Sequence, residues 1–155
     1  MKKLFLLRHG EAGFSDGMDH ERNLTAAGVE QLKRLSSKLS EEIDEIDLLL
    51  CSTANRTVQT ADLIASTIPI HHKEFTREIY EGNLNVLINL LSNVPKSVNS
   101  CLLVGHNPII SLLLSHLSGL SYQNMSPGTF AQLEMVLDTW DLIGADTFIL
   151  KEINS

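Results

Sequence analysis

The chain carries little positive charge and none of it is clustered. Twelve Lys and Arg stand against nineteen Asp and Glu, a formal net charge of −7. No basic run of the kind that tracks a phosphate backbone occurs, which excludes nucleic acid and anionic membrane surfaces as partners. Long hydrophobic runs are missing too. Near the start, Leu4-Phe5-Leu6-Leu7 stops at Arg8, whereas a secretory core takes about 7–15 apolar residues and a spanning helix about 20. The expectation is a cytoplasmic protein with no membrane segment.

Cysteine is nearly absent, and its placement argues against a disulfide. Cys51 closes the run Leu48-Leu49-Leu50 and Cys101 opens Leu102-Leu103-Val104. If those runs are neighbouring parallel strands, the sulfurs lie ~10 Å apart at ~3.3 Å per residue. A bridge needs Cα atoms within about 7 Å, so two buried free thiols are expected. Gly and Pro are spread out, which excludes collagen-like and low-complexity classes. GxxxxGK[ST], GxSxG and HExxH are all missing, so the sequence carries no P-loop, serine-hydrolase or zincin signature.

What is present is one domain's worth of chain, residues 1–155, with 43% hydrophobic residues. That suffices for a core without staples. Continuous apolar runs at Lys3–Leu7, Ile46–Cys51 and Ser100–Gly105 read as strands buried on both faces. Val29, Leu32, Leu35, Leu39 and Ile43 recur at helical spacing behind Thr25, a suitable N-cap. A second helix is expected over Asn55–Ile68, ended by Pro69, and another over Asn85–Asn93. His71–Phe75 reads as a short strand. Asn107-Pro108 suggests an N-cap followed by proline at the first helical position, opening a helix that ends at Gly119. Leu133, Met135 and Leu137 alternate with Gln132, Glu134 and Val136, and Phe148, Leu150 and Glu152 with Ile149, Lys151 and Ile153, giving two further strands nearer a sheet edge. Strands alternating with helices predict a three-layer α/β/α domain with a mostly parallel central sheet.

Such sheets place ligands beyond the carboxyl ends of their strands. Those ends carry Arg8-His9-Gly10-Glu11, then Ser52-Thr53 with Arg56 opening the next helix, then Gly105-His106-Asn107. Each residue alone reads as ordinary: a solvent-facing Arg, a structural His. Together, two guanidiniums, two imidazoles and two helix N-termini make a pocket for a dianionic phosphoryl group. Neighbouring positive charge would keep an imidazole neutral, and a neutral imidazole is a nucleophile towards phosphorus. The other histidines read differently. His71 and His72 point to opposite strand faces and suit the surface, His116 sits on an apolar helix face and suits the core, and His20 is a candidate for the pocket mouth.

Leu7-Arg8-His9-Gly10-Glu11, Leu24-Thr25-Ala26-Ala27-Gly28, Ser52-Thr53-Ala54-Asn55-Arg56-Thr57 and Gly105-His106-Asn107-Pro108 resemble the histidine phosphatase superfamily, the phosphoglycerate-mutase-like clan. The tail from Thr129-Phe130-Ala131 to Trp140 is most similar to its SixA-type phosphohistidine phosphatases. The resemblance implies a covalent mechanism without metal or other cofactor. His9 would attack phosphorus, with Arg8, Arg56 and His106, helped by Asn107, holding the phosphoryl oxygens. It implies a general acid at Glu81, or at Glu78 in a variant frame, or none; either carboxylate also suits the bare surface. Larger relatives enclose small metabolites with long insertions, and none fits between Ala61 and Ser100, so a phosphoprotein carrying phosphohistidine is the expected partner. The alternatives are a small-molecule phosphomonoesterase on the same fold and a non-catalytic phosphate-binding module.

Overall fold

The computed structural model describes residues 1–154. Its six strands are β1 (Lys3–Arg8), β2 (Ile46–Ser52), β3 (Ile70–Thr76), β4 (Ser100–Gly105), β5 (Phe130–Met135) and β6 (Phe148–Asn154), and they form one sheet in the order β3-β2-β4-β1-β5-β6. β3, β2, β4 and β1 run parallel, whereas β5 is antiparallel to β1 and β6 to β5. The helices are α1 (Ala26–Ser40), α2 (Asn55–Ala65), α3 (Arg77–Glu81), α4 (Leu84–Ser92) and α5 (Ile109–Ser118). Single 3-10 turns occur at Asp19–Glu21 and Trp140–Leu142.

The period-2 pattern of the central strands splits the core in two. Leu4, Leu6, Cys101 and Leu103 join α4, α5 and Trp140 on one face. Phe5, Leu7, Leu102 and Val104 join α1 and α2 on the other. All eight are at most 2% exposed, and each such side chain gains ~1.5–3 kcal/mol from burial. A one-residue slip of β1 would exchange its two faces and forfeit that packing. The residues that close β1 and β4 are therefore held in fixed register, Arg8 opposite Gly105. The cysteines obey the same logic: Leu48 pairs with Cys101 and Cys51 with Val104, the two thiols join opposite core clusters, and both are free and buried.

Locally, Thr25 caps α1 as expected, its Oγ1 accepting from the Gly28 amide at 3.0 Å. Gly28 is required by close packing, since a Cβ there would lie 2.4 Å from the Glu11 carbonyl oxygen. At the other end of α5, Gly119 adopts φ 72°, the left-handed conformation that glycine takes without strain.

Four expectations are corrected. α2 ends three residues before Ile68, and Thr67 and Ile68 close it with turn hydrogen bonds to Ile64. The short helix α3 is additional; five residues are too few for periodicity to register, and Thr76 Oγ1 caps it by accepting from the Glu78 amide. β5 begins at Phe130 and ends at Met135, leaving Leu137 exposed as the chain turns towards Trp140. Finally, α5 starts at Ile109, with Pro108 in the cap position rather than Asn107. The Asn107 side chain is claimed by tertiary partners instead, Nδ2 donating to Asn124 Oδ1 and Met125 O and Oδ1 accepting from Ser111.

Candidate active site

The carboxyl ends of β1, β2 and β4 meet at one edge of the sheet. His9 directly follows β1 and is 7% exposed. Its Nδ1 lies 2.7 Å from the Gly10 carbonyl oxygen, a group that can only accept. Nδ1 therefore carries the ring proton and Nε2 presents its lone pair. Arg56 Nε approaches that Nε2 at 3.3 Å. The Gly10 amide in turn donates to Thr60 Oγ1 on α2, tying the loop after β1 to the helix that carries Arg56.

His106 follows β4, its ring centroid 5.3 Å from that of His9. Its Nε2 lies 2.7 Å from Ser52 Oγ, which also accepts from the Ala54 amide. The Ser52 hydroxyl keeps both its proton and a second lone pair, so it pairs with His106 Nε2 in either tautomer of the ring. The Nδ1 of His106 is buried and has no protein partner. Arg8 Nε is similarly unpartnered, while its Nη1 donates to the Met125 carbonyl. An unpartnered guanidinium N–H and an unpartnered imidazole nitrogen, both buried beside a nucleophilic imidazole, form a place for an oxyanion.

Burial pushes His9 down to about 4, reinforced by Arg56, Arg8 and Arg22 against the opposing pull of the Gly10 carbonyl. Burial, then Arg56 and His9, push His106 down to about 3. Both rings are neutral at pH 7. Between the unfolded value near 6.5 and these native values, the unfolded chain binds protons that the native state refuses, so stability rises with pH in that window. Acidification from pH 6.5 to 4 should cost on the order of 3 kcal/mol through His9, with His106 adding in the same direction. Melting curves by circular dichroism at pH 8, 6.5, 5 and 4 should fall on the acid side. A melting temperature that holds or rises there would contradict neutral, buried imidazoles.

Two residues that sequence reasoning did not single out complete the site. The Asp19 carboxylate, on the 3-10 turn of the loop after β1, accepts from Arg56 Nη2 at 3.1 Å, Arg22 Nη1 at 3.1 Å and the Tyr80 hydroxyl at 2.8 Å. The Tyr80 hydroxyl, with Arg22 and Arg56, holds it well below the ordinary carboxylate range. Tyr80 on α3 stands edge-on to His106 and to His20. His20 does reach this rim, Nε2 lying 2.8 Å from Thr53 Oγ1.

The other candidates are engaged differently. Glu81 is exposed at the end of α3, where its Oε1 accepts from Arg77 Nε at 2.6 Å. Glu78 is exposed as well. Asn107 is near His106 in sequence, but its amide is consumed as described above. His71 and His72 are exposed and paired with Glu45 and Glu74, whereas His116, expected in the core, is only half-buried. Among the described residues no helix is long and apolar enough to cross a membrane.

The chain is similar to several known proteins in sequence and in fold. The chain is 24% identical over 151 residues to the phosphohistidine phosphatase SixA of Escherichia coli K12, covering 94% of this chain and 90% of that one. An uncharacterised protein of Mycobacterium tuberculosis is 29% identical over 116 residues, covering 74% and 72%. A structure from Nakamurella multipartitia, provisionally named a phosphohistidine phosphatase SixA, superposes with TM-score 0.85 at 26% identity over 99% of this chain and 95% of that chain. A tungstate complex of the protein histidine phosphatase SixA shares the fold with TM-score 0.86 at 20% identity, over 99% and 96%. The profile of the histidine phosphatase superfamily (branch 1) matches residues 4–88, more than half of the sequence, and the chain belongs to that superfamily of phosphatases.

Proposed function

We propose that the protein hydrolyses phosphohistidine in a phosphoprotein, through a covalent phosphohistidine on His9. The observation that carries the reading is the His9 ring itself: neutral, its Nδ1 proton engaged by Gly10 and its Nε2 set against Arg56. In the first step the Nε2 lone pair, released from the Arg56 Nε–H that it accepts at rest, forms a bond to phosphorus and the bond from phosphorus to the substrate breaks. Arg8, Arg56 and His106 take the phosphoryl oxygens and stabilise the charge that gathers there. His9 becomes a phosphoimidazolium whose Nδ1–H is retained on the Gly10 carbonyl. Water then adds to phosphorus, the P–Nε2 bond breaks, and neutral His9 and inorganic phosphate are released. The guanidiniums supply the charge neutralisation, so no step calls on a metal.

The leaving group separates phosphohistidine from an ordinary phosphomonoester. An alkoxide needs a proton as it departs. Asp19 is held ionised, and Glu81 is committed to Arg77 at the exposed end of α3. A phosphohistidine protonated on its distal ring nitrogen leaves as neutral imidazole and needs nothing from the enzyme. The chain between α2 and β4 is taken up by β3, α3 and α4, and an open strand-end site suits a side chain presented by another protein.

The test is turnover of a phosphohistidine peptide, an aryl phosphate and an alkyl phosphate, each with and without EDTA. Rates should fall in that order, the peptide exceeding the alkyl ester by about 10³-fold for want of general-acid assistance, with EDTA without effect. Comparable rates for alkyl phosphate and peptide would point to a small-molecule phosphomonoesterase. Binding of phosphate without turnover of any substrate would point to a non-catalytic module, and inhibition by EDTA would demand a metal.

A further inference from the structure

We propose that Asp19 is the positioning residue of the phosphoryl site, fixing the plane of the Arg56 guanidinium from two points at once. The proposal rests on the reading of Arg56 as a phosphoryl-binding group.

Arg56 is buried, 6% exposed, yet it arrives on a long flexible stem. Its guanidinium has five N–H donors in one plane. Nε is directed at His9 Nε2. Nη1 donates to the Asp19 backbone carbonyl at 2.9 Å and Nη2 to Asp19 Oδ2 at 3.1 Å. One residue thus grips both Nη atoms, and rotating the fork breaks both contacts together. One proton on each Nη is left for an incoming oxyanion.

The clamp is itself braced. Asp19 Oδ1 takes Arg22 Nη1, whose Nε is in turn anchored on the Gly13 carbonyl. Asp19 Oδ2 also takes the hydroxyl of Tyr80 from α3. The loop after β1, α2 and α3 therefore share one acceptor. Electrostatics alone gives no reason for it, because a carboxylate beside two arginines weakens their hold on a dianion. Its benefit lies in orientation, which matters most where charge develops in the transition state.

This predicts a split between binding and rate. Asp19→Ala should lower kcat about 10²-fold while KM stays within about 3-fold, because relief of charge repulsion offsets the loss of orientation. Both variants keep the backbone carbonyl that holds Nη1; Asp19→Asn also keeps a side-chain acceptor for Nη2, and should recover about 10-fold of that kcat loss. It should also bind inorganic phosphate as tightly as the wild type or more so. A direct readout needs no turnover: ¹⁵N spectra of the arginine side chains, with Arg56 assigned through Arg56→Lys. Separate, slowly exchanging Nη1 and Nη2 signals are expected in the wild type and in Asp19→Asn, with exchange at least about 10-fold faster in Asp19→Ala, which keeps only the backbone contact.

An averaged Arg56 signal in the wild type would overturn the clamp. So would an Asp19→Ala enzyme within 2-fold of wild-type kcat, or equal kcat losses in the Asn and Ala variants. A wild type that turns over no phosphorylated substrate would instead remove the functional reading, and the spectra would still decide whether Asp19 holds Arg56.

Discussion

Replacing His9 by alanine is expected to lower turnover by about 10⁴-fold or more while leaving the fold intact, because the variant has no atom with which to form the covalent intermediate. His9 makes two hydrogen bonds, to Gly10 O and with Arg56 Nε, and it sits at the edge of the core rather than within either apolar cluster. Its removal at neutral pH should therefore cost only about 1–2 kcal/mol of packing and hydrogen bonding. At pH 5 the balance changes sign in part. The wild type there carries the penalty of keeping an imidazole neutral that would be protonated in the unfolded chain, and the alanine variant does not. Its melting temperature should fall less steeply on acidification than that of the wild type. Phosphoryl trapping completes the test: labelled phosphohistidine peptide, quenched in alkali, should leave acid-labile label on wild-type His9 and none on the variant. Substantial residual turnover by His9→Ala would remove His9 as the nucleophile.

The parts of the fold visible in the sequence were those in which local pattern and tertiary burial coincide. Leu4 to Leu7, Leu48 to Cys51 and Cys101 to Val104 are buried on both sheet faces, so their apolar runs are unbroken and their ends identifiable. A parallel sheet then brings Arg8, His9, Arg56 and His106 to one edge without any knowledge of what each contacts. Asp19 was invisible for the opposite reason. It lies in a loop with no periodicity, and its partners Arg56 and Tyr80 are 37 and 61 positions away. Tyr80 and Glu81 show a second limit. In α3 each residue turns about 100° from the last, so the backbone orientation decides which of the two meets the site; a motif frame of adjacent residues does not. Asn107 followed by proline had the composition of a cap, yet Asn124 and Met125 offered its amide two tertiary partners and Ser111 a local one, and these outweigh one capping bond.

The second large effect is expected at Arg56. Arg56→Ala should lower kcat/KM by about 10³-fold, the lower end of what a transition-state arginine supplies in phosphoryl transfer. Arg56→Lys should recover little of it. A lysine has a single charged tip, whereas this position uses a planar fork with Nε towards His9 and both Nη atoms on Asp19. Stability should respond much less than rate. The Asp19 side chain is 51% exposed and its carboxylate can return to water once its partner is gone, so the cost is that of one buried side chain, Arg56 being 7% exposed, and its hydrogen bonds, about 1–3 kcal/mol. The pH profile supplies an independent check. Arg56 is among the groups that lower both His9 and His106, so its removal should raise both and move the acid limb of kcat/KM upward from about 4, where His9 titrates in the wild type. A large rate loss with an unmoved acid limb would mean that Arg56 binds substrate without sharing the field felt by the imidazoles. Unchanged kinetics would take it out of the site. Loss of rate, failure of lysine to substitute and an upward-shifted limb together are what a fixed fork beside a neutral nucleophile requires.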